Sequence, residues 1–524
     1  MARINSNIAA MTARVNLNRA NEDLAVRFQR LSTGLRINRG ADDPAGLIVS
    51  ERLRTELEGI SQGIRNSERA SNVIATTEGA LTEVSDLLNS IKALVVEAAN
   101  TGAFSREEVA ANQLQIDSAI DSITRISNTA TFAGLKLLNG ELGYILSGVS
   151  AADLPRVRVN GITFGDRDSI PVNVDMIGSA QTAQIFMRTD FSNINAGFTD
   201  GVLPFRSRVE FQSNEGVQVI EFVSNASSAQ IRDGINTFRS TTGLSASFVN
   251  GNPVSGISIS SLEYGSDAFV SVRQLSDVDA VQFGKVANNS PIDPNALTFG
   301  TGAGQIDIAT VGQGELRDDG KDAIALVNGV LATANGLDLS VRSRALDVEL
   351  LLDAGFATQV GVTTRFDVTG GGSIFQLGPQ VNTNQQVNIG IDSIASTRLG
   401  GTLVLNSAGT GNVVEFLESL KSGGLNALGN DREAFASDIL DTAIDEISSL
   451  RGRLGAFERN VIQTNINSLE ASLENITASE SVIRDADFAL ETSALTRAQV
   501  LTQAGTSVLA QANANAQNVL QLLG

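Results

Sequence analysis

Cysteine, histidine and tryptophan are missing altogether from the 524-residue chain. Without thiols or imidazoles there is no disulfide, no thiolate nucleophile, no zinc centre of the usual kind and no imidazole base. Most hydrolase triads and thiol redox chemistry are thereby excluded. A metal could only be oxygen-ligated, through carboxylates and carbonyls. Basic residues are also few, 38 against 58 acidic, for a formal charge of −20. A nucleic-acid partner, which needs a basic face, is not expected. No run of about 18 apolar residues occurs, so no membrane span is expected. The first residues mix Arg3, Asn5, Ser6, Asn7 and Arg14 among apolar ones, unlike a secretory leader. On these grounds alone the chain reads as cytoplasmic, without cofactor, and an enzyme is the less favoured class.

Proline is scarce and unevenly placed. Pro44 stands alone near the front, while Pro155, Pro171, Pro204, Pro253, Pro291, Pro294 and Pro379 all fall in the middle. Proline breaks helix interiors, so the outer parts are free to form long helices and the middle is not. The outer parts carry the matching apolar periodicity: Leu53, Leu57, Ile60, Ile64, then Leu81, Val84, Leu88, Ile91, Val95, then Ile116, Ile120, Ile123. Towards the other end come Leu440, Ile444, Ile447, Leu454, Phe457, and then Ile462, Ile466, Leu469, Leu473. Steps of three and four put one apolar stripe on a helix and, sustained this long, favour coiled-coil packing. A continuous helix from residue 45 to about 100 would span roughly 80 Å at about 1.5 Å per residue. The middle, from about residue 140 to 400, changes to partial two-residue alternation between Gly, Asn and Ser clusters, as in 207–211, 217–220 and 257–260. That is strand-and-turn grammar, with one helix embedded near 229–238 and capped by Ser227 or Ser228. The fold class expected is α+β: a long antiparallel helical stalk from both chain ends, with a β-rich domain inserted in the middle.

The ends pose a stability problem. Residues 1–40 present Ile4, Ile8, Met11, Val15, Leu24, Phe28, Leu31 and Leu35; the last forty present Val500, Val508, Leu509, Val519, Leu520, Leu522 and Leu523. Isolated helices of this length are marginal in water, and ordering each residue costs about 1–2 kcal/mol of backbone entropy. Pairing the two ends still leaves an apolar flank exposed. The expectation is that they are disordered in the monomer and fold on self-association; a pair of ordinarily docked terminal helices is the plainer alternative. Between the first helix and the long one, Gly34 and Gly40 can end or bend a helix, Asp42 or Asp43 can cap the next, and Pro44 suits its first turn. Arg30, Arg36 and Arg39 in this connector either face acidic groups or carbonyls of neighbouring chains or form a solvated basic patch.

The connector from Gln29 to Gly46, the segments 76–81, 483–488 and 503–513, and the terminal Asn518-Val519-Leu520-Gln521-Leu522-Leu523 together resemble bacterial flagellin. The resemblance covers both ends at once, roughly 1–140 and 430–524. It implies a subunit that polymerises into the helical flagellar filament used for swimming, exported unfolded by a flagellar type III apparatus and folded at the filament tip. The expected location thereby becomes extracellular. It implies three layers: 1–43 with 481–524 lining the channel; 44–175 with 375–480 as a helical stalk with stem strands; and 176–374 as a variable outer domain with a small β–α module near 217–273. The partners implied are other copies of the chain, an export chaperone at the C-terminal helix, and filament cap and junction proteins.

By the same resemblance Ile4, Ile8, Met11, Leu24, Phe28, Leu31 and Leu35 pack against Val500, Val508, Leu509, Val519 and Leu522 of the same chain and its neighbours. Gly452, Gly455 and Ala456 resemble a segment linked to supercoil switching, although Gly452 and Gly455 could equally be close-packing sites. The segment Asn89, Ser90, Lys92, Leu94 departs from a Gln-Arg pair that contributes to recognition by an animal innate receptor, so weak receptor activation is expected; serine cannot make the planar bonds of arginine. A hook–filament junction protein is the nearest rival reading. Another is a subunit whose outer domain serves adhesion or ligand binding: Asp277 with Asp279, and Asp318 with Asp319 and Asp322, could hold calcium or act as an acid–base pair, or be solvated loops.

Overall fold

The computed structural model describes residues 6–100, 105–165, 167–193, 198–275, 281–286, 306–309, 315–343, 345–406, 412–430 and 432–521. Ile4, Leu522, Leu523, Asp277 and Asp279 lie outside them, as do the side chains of Val519 and Leu520. The helices are α1 (Ile8–Thr33), α2 (Pro44–Ala98), α3 (Arg106–Thr129), α4 (Ser228–Thr237), the single turns α5 (Arg239–Thr242) and α6 (Ala354–Ala357), α7 (Glu433–Phe457), α8 (Thr464–Arg484) and α9 (Phe488–Gln521). A π-helical stretch, Glu458–Gln463, joins α7 to α8. Strands fill the middle, as the alternation and the prolines required. The α+β class holds.

The chain divides into two compact units: Met1–Ser71 with Phe375–Gln386 and Glu458–Gly524, and Asn72–Ile374 with Val387–Phe457. In the first, α1 and α9 run antiparallel: the Asn7 amide donates to the Ala512 carbonyl at 3.0 Å, Arg27 and Arg30 reach Glu491, and Leu35 forms a backbone bridge with Asp485. The front of α2 runs antiparallel to α8 in the same way, with Arg484 meeting Glu51 at 3.3 Å and Asn465 donating to Ser67 at 3.2 Å. Leu53, Leu57 and Ile64 are half-buried there, with Ile60 fully buried, and on α8 Ile466, Leu469 and Leu473 are half-buried.

The second unit holds the well-covered helical stripes. Leu81, Val84, Leu88, Ile91, Ile116, Ile120, Ile123 and Leu454 are almost completely buried, each worth about 1.5–3 kcal/mol relative to exposure. α3 begins with a reciprocal capping box between Ser105 and Glu108, which satisfies two otherwise orphaned donors. α7 follows α2 in antiparallel sense, with Lys92 on Asp441 at 2.6 Å and Arg451 beside Glu78 at 3.9 Å.

Two antiparallel double-sheet cores complete this unit, one nested inside the other along the chain. The nearer uses strands Tyr144–Ser147, Arg156–Ile162 and Ile170–Gly178 on the way out, with 324–351 and Thr363–Gly371 on the way back; Val172, Val174, Val348 and Phe366 fill it. The inner one spans 183–316, with Ile185, Phe211, Val270 and Phe283 at its centre and α4 packed on it. Ser227 caps α4 through a second capping box. One expected boundary moves as a result. The 175/176 division falls inside the strand Ile170–Gly178, whereas 374/375 coincides with a division between the two units. The returning strands Ser373–Gln376 and Gln386–Ile389 form a separate two-stranded sheet, and the β–α module expected near 217–273 is only the central portion of the inner sandwich.

Candidate functional site

The terminal helix pair leaves several large apolar side chains exposed. Around α1, at about 100° per residue, Ala13, Leu17, Leu24 and Leu31 share one side and are buried or half-buried. On α9 the matching seam is Glu491, Leu495, Ala498, Gly505 and Leu509, all covered to some degree. The helices come close at Gly505, where a Cβ would sit 3.1 Å from the Leu17 side chain. Ile8, Met11 and Val15 lie on the far side of α1, and Val500 on the far side of α9. With Phe28, Phe488 and Val508 they are 47–60% exposed. Ile8, Met11, Val15, Val500 and Val508 therefore lie outside the intrachain seam, which is made by Ala13, Leu17, Leu24 and Leu31 against Leu495, Ala498, Gly505 and Leu509. A helix apolar on opposite sides needs cover on both.

The sequence reading missed the polar lock in this seam. Glu491 is 3% exposed and accepts from Arg27 at 2.9 and 3.1 Å and from Arg30 at 3.0 Å. Burial, the largest single influence on its carboxyl, would raise its pKa; the hydrogen bonds and charges of Arg27 and Arg30 outweigh it and hold the group below the usual range. A signal was present: Glu491 is the lone acid in residues 488–521, and Arg27 and Arg30 are three apart on α1.

The connector is tied to its own chain. Gly34, with φ of 73°, ends α1 in the left-handed conformation that glycine adopts without a Cβ penalty, its N–H donating to Arg30. The Arg36 amide donates to the Arg484 carbonyl at 2.7 Å and its guanidinium to the Ile483 carbonyl at 2.5 Å. Arg30 and Arg36 are thus engaged within the chain. Asp42 accepts from Asn38 and Arg39 at 3.0 and 2.8 Å, while Asp43 accepts from Gly46 at 2.9 Å at the start of α2, with Pro44 its first residue. Gly40 has no left-handed backbone and only an ordinary contact with Leu47. Ile37, 1% exposed, anchors the loop.

A Cβ on Gly452 or Gly455 would meet nothing within 4 Å, so neither is a close-packing site. Those sites are on α2: Cβ atoms would lie 2.9 Å from the Pro379 Cβ at Gly59, and 3.1 Å from the Leu377 carbonyl at Gly63. Gly452, Gly455 and Ala456 sit in the last turns of α7, just before the π-helical stretch, while Ile444 is half-buried and Ile447 buried nearer its middle. On α2, Asn89 and Ser90 are exposed and Leu94 half-buried, whereas Lys92 is engaged by Ser437 and Asp441.

The acidic groups of the middle are structural. Asp318 accepts from the Gln184 amide at 2.8 Å. Asp319 accepts from Arg317 at 2.8 Å. Asp322 joins Ser266 and Gly336 through three bonds of 2.7–2.9 Å. Among the described residues no group of three acidic side chains is placed to hold a metal ion, and no helix is long and apolar enough to cross a membrane.

Residues 4–142 match the family model of the bacterial flagellin N-terminal helical region, and residues 437–523 that of the C-terminal helical region. Over its length the chain is similar to a flagellin of Salmonella rubislaw, 29% identical with 99% of both chains covered. It is also similar to the B-type flagellin of Pseudomonas aeruginosa, 28% identical over 99% of both. Among solved structures, FliC from Burkholderia pseudomallei is 12% identical, covering 76% of this chain and 99% of that one, with a TM-score of 0.22.

Proposed function

The chain belongs to the bacterial flagellin family, and we propose that it self-assembles into the flagellar filament through the uncovered sides of α1 and α9. The observation that carries this reading is the apolar flank Ile8-Met11-Val15 facing away from the intrachain seam, with Val500 and Val508 on the partner helix. Each such side chain is worth about 1.5–3 kcal/mol once covered, and a neighbouring copy is the cover that a polymer supplies. A contact between unlike patches that does not close on itself propagates into a filament.

On this reading the terminal pair lies innermost in the filament, the long helices form the next layer and the β-rich middle faces outward, as in the layering that the family resemblance implies. The chain leaves the cell unfolded through a flagellar type III apparatus and folds at the tip, where absence of cysteine removes any risk of mispairing. Before export, the apolar side of α9 is the docking site of a chaperone; at the filament ends, cap and junction proteins meet the same terminal helices.

The test is amide exchange on the dilute, unpolymerised chain. Residues 8–33 and 488–521 are expected to exchange as an unfolded segment and to become protected on polymerisation. Full protection of both segments in the solitary chain would overturn coupled folding and assembly, as would unimpaired polymerisation of a chain carrying Ile8→Asp and Val500→Asp.

A further inference from the structure

Strands Tyr144–Ser147 and Arg156–Ile162 are each the last of their sheet, so each leaves one row of backbone donors and acceptors without a strand partner. A cavity of about 550 Å³ is lined by both strands, by Asp392, Thr397 and Arg398, and by the Phe416 ring. That volume is typical of pockets that enclose a small molecule. Its walls run against the character of the chain, whose net charge is −20: the guanidinium groups of Arg156, Arg158 and Arg398 meet one carboxylate, Asp392.

Two of the three are already committed. Arg156 donates to Glu446 at 2.9 Å and to Asp338 at 2.7 Å, and Arg158 to Glu446 at 2.8 Å. The exposed Arg398 has no ion pair or side-chain hydrogen bond among the described residues, and the exposed Thr397 hydroxyl beside it has none either. The cavity therefore offers one guanidinium fork that lies near Asp392 without a hydrogen bond to it, hydroxyls on Ser393 and Thr397, strand-edge backbone groups, and an apolar wall from Val157 and Phe416.

We propose that this cavity binds a small monocarboxylate carried on a hydroxylated ring, a sugar of the uronic-acid type, with Arg398 as anchor of the carboxylate. A planar guanidinium presents two parallel donors that match a carboxylate. A single fork without a hydrogen-bonded acid suits a monoanion; a phosphate dianion would bring surplus negative charge beside Asp392. Ring hydroxyls are taken by Thr397, Ser393 and the strand-edge amides, and the Phe416 face covers the ring.

The experiment is calorimetric titration of the full, unpolymerised chain with glucuronate, with glucose and inorganic phosphate as separate arms. Saturable binding of glucuronate is expected, at least about tenfold tighter than either alternative. Arg398→Ala is expected to weaken it about tenfold, with Arg398→Lys in between, as fits the loss of one charge-assisted bidentate pair. Arg365→Ala, whose guanidinium pairs with Asp367 instead, is expected to bind like the parent. Arg398 is exposed, so its variants should melt as the parent does, and circular dichroism checks this. No saturable heat with millimolar glucuronate, equal affinity for glucose or phosphate, or undiminished binding by a folded Arg398→Ala chain would each overturn the assignment.

Discussion

Glu491→Gln removes a buried charge without changing the shape of the side chain, and it separates assembly from folding of the remaining chain. In the parent, Glu491 is 4% exposed at the side chain while Arg27 and Arg30 are 24% and 21% exposed. Breaking a fully buried pair costs about 3–5 kcal/mol. Here the arginines keep contact with water and the amide oxygen still accepts one bond, so the lower figure for a hydrogen bond to a charged group, about 1.5–3 kcal/mol, applies. At about 1.4 kcal/mol per factor of ten, the critical concentration for polymerisation should rise roughly 10- to 100-fold. If α1 and α9 become ordered only on assembly, the thermal melt of the unpolymerised chain should not move, because the triad does not exist there. Sedimentation of polymer across a concentration series measures the first quantity and calorimetry the second. Arg27→Lys should produce a smaller rise, since lysine keeps the charge but loses the fork. A critical concentration within about threefold of the parent, or a lowered melt of the monomer with assembly intact, would refute the reasoning.

Two further predictions concern stability. Gly452→Ala and Gly455→Ala meet open space and should each stabilise the chain by about 0.5–1 kcal/mol through helix propensity, whereas Gly59→Ala forces a Cβ to 2.9 Å from the Pro379 Cβ and should lose about 1 kcal/mol net after overpacking; urea midpoints of the full chain with the same sign for all three would contradict the packing assigned to them. For pH, burial and then the neighbouring Glu263 push Glu215 up to about 7 and Asp438 up to about 6. A carboxyl raised in the folded state binds its proton more tightly there, so stability rises as pH falls through 7 and 6 towards the unfolded values of 4.5 and 3.8. The unpolymerised chain should therefore melt higher near pH 5.5 than near pH 7.5, and Glu215→Gln should shrink the difference; an unchanged difference in that variant would sink the assignment.

What the sequence made legible was whatever a single element determines by itself. Pro44 and the unbroken stripe after it delimit α2 almost to the residue, and the Ser227 cap of α4 follows from local chemistry alone. Strand positions could be read from alternation and turns, but sheet order could not: nothing in Arg156–Ile162 announces that it pairs with 346–351 rather than with its sequence neighbours. Period two fixes which side chains share a face, not which strand lies alongside. Hence the nearer sandwich was cut at residue 175, although its two halves are joined through a single core.

The glycines show where local reading reaches its limit. Gly452 with Gly455 and Gly59 with Gly63 look alike in sequence, each a pair one helical turn apart, and either could allow another backbone to approach. The deciding factor is what lies beside each pair: Pro379 and Leu377 crowd Gly59 and Gly63, whereas a Cβ on Gly452 or Gly455 meets nothing within 4 Å. Glu491 follows the same logic at long range, since its partners lie more than 460 residues away in sequence. Contacts of high separation cannot be read from the pattern of either element, yet they are the ones that set the register of α1 on α9. The rotation of α1 that places Arg27 and Arg30 on Glu491 also decides which apolar side chains remain outside the seam. The surface assigned to assembly is thus tied to the buried triad: turn α1 by half a revolution about its axis and Ile8, Met11 and Val15 would take the place of Ala13 and Leu17 in the seam.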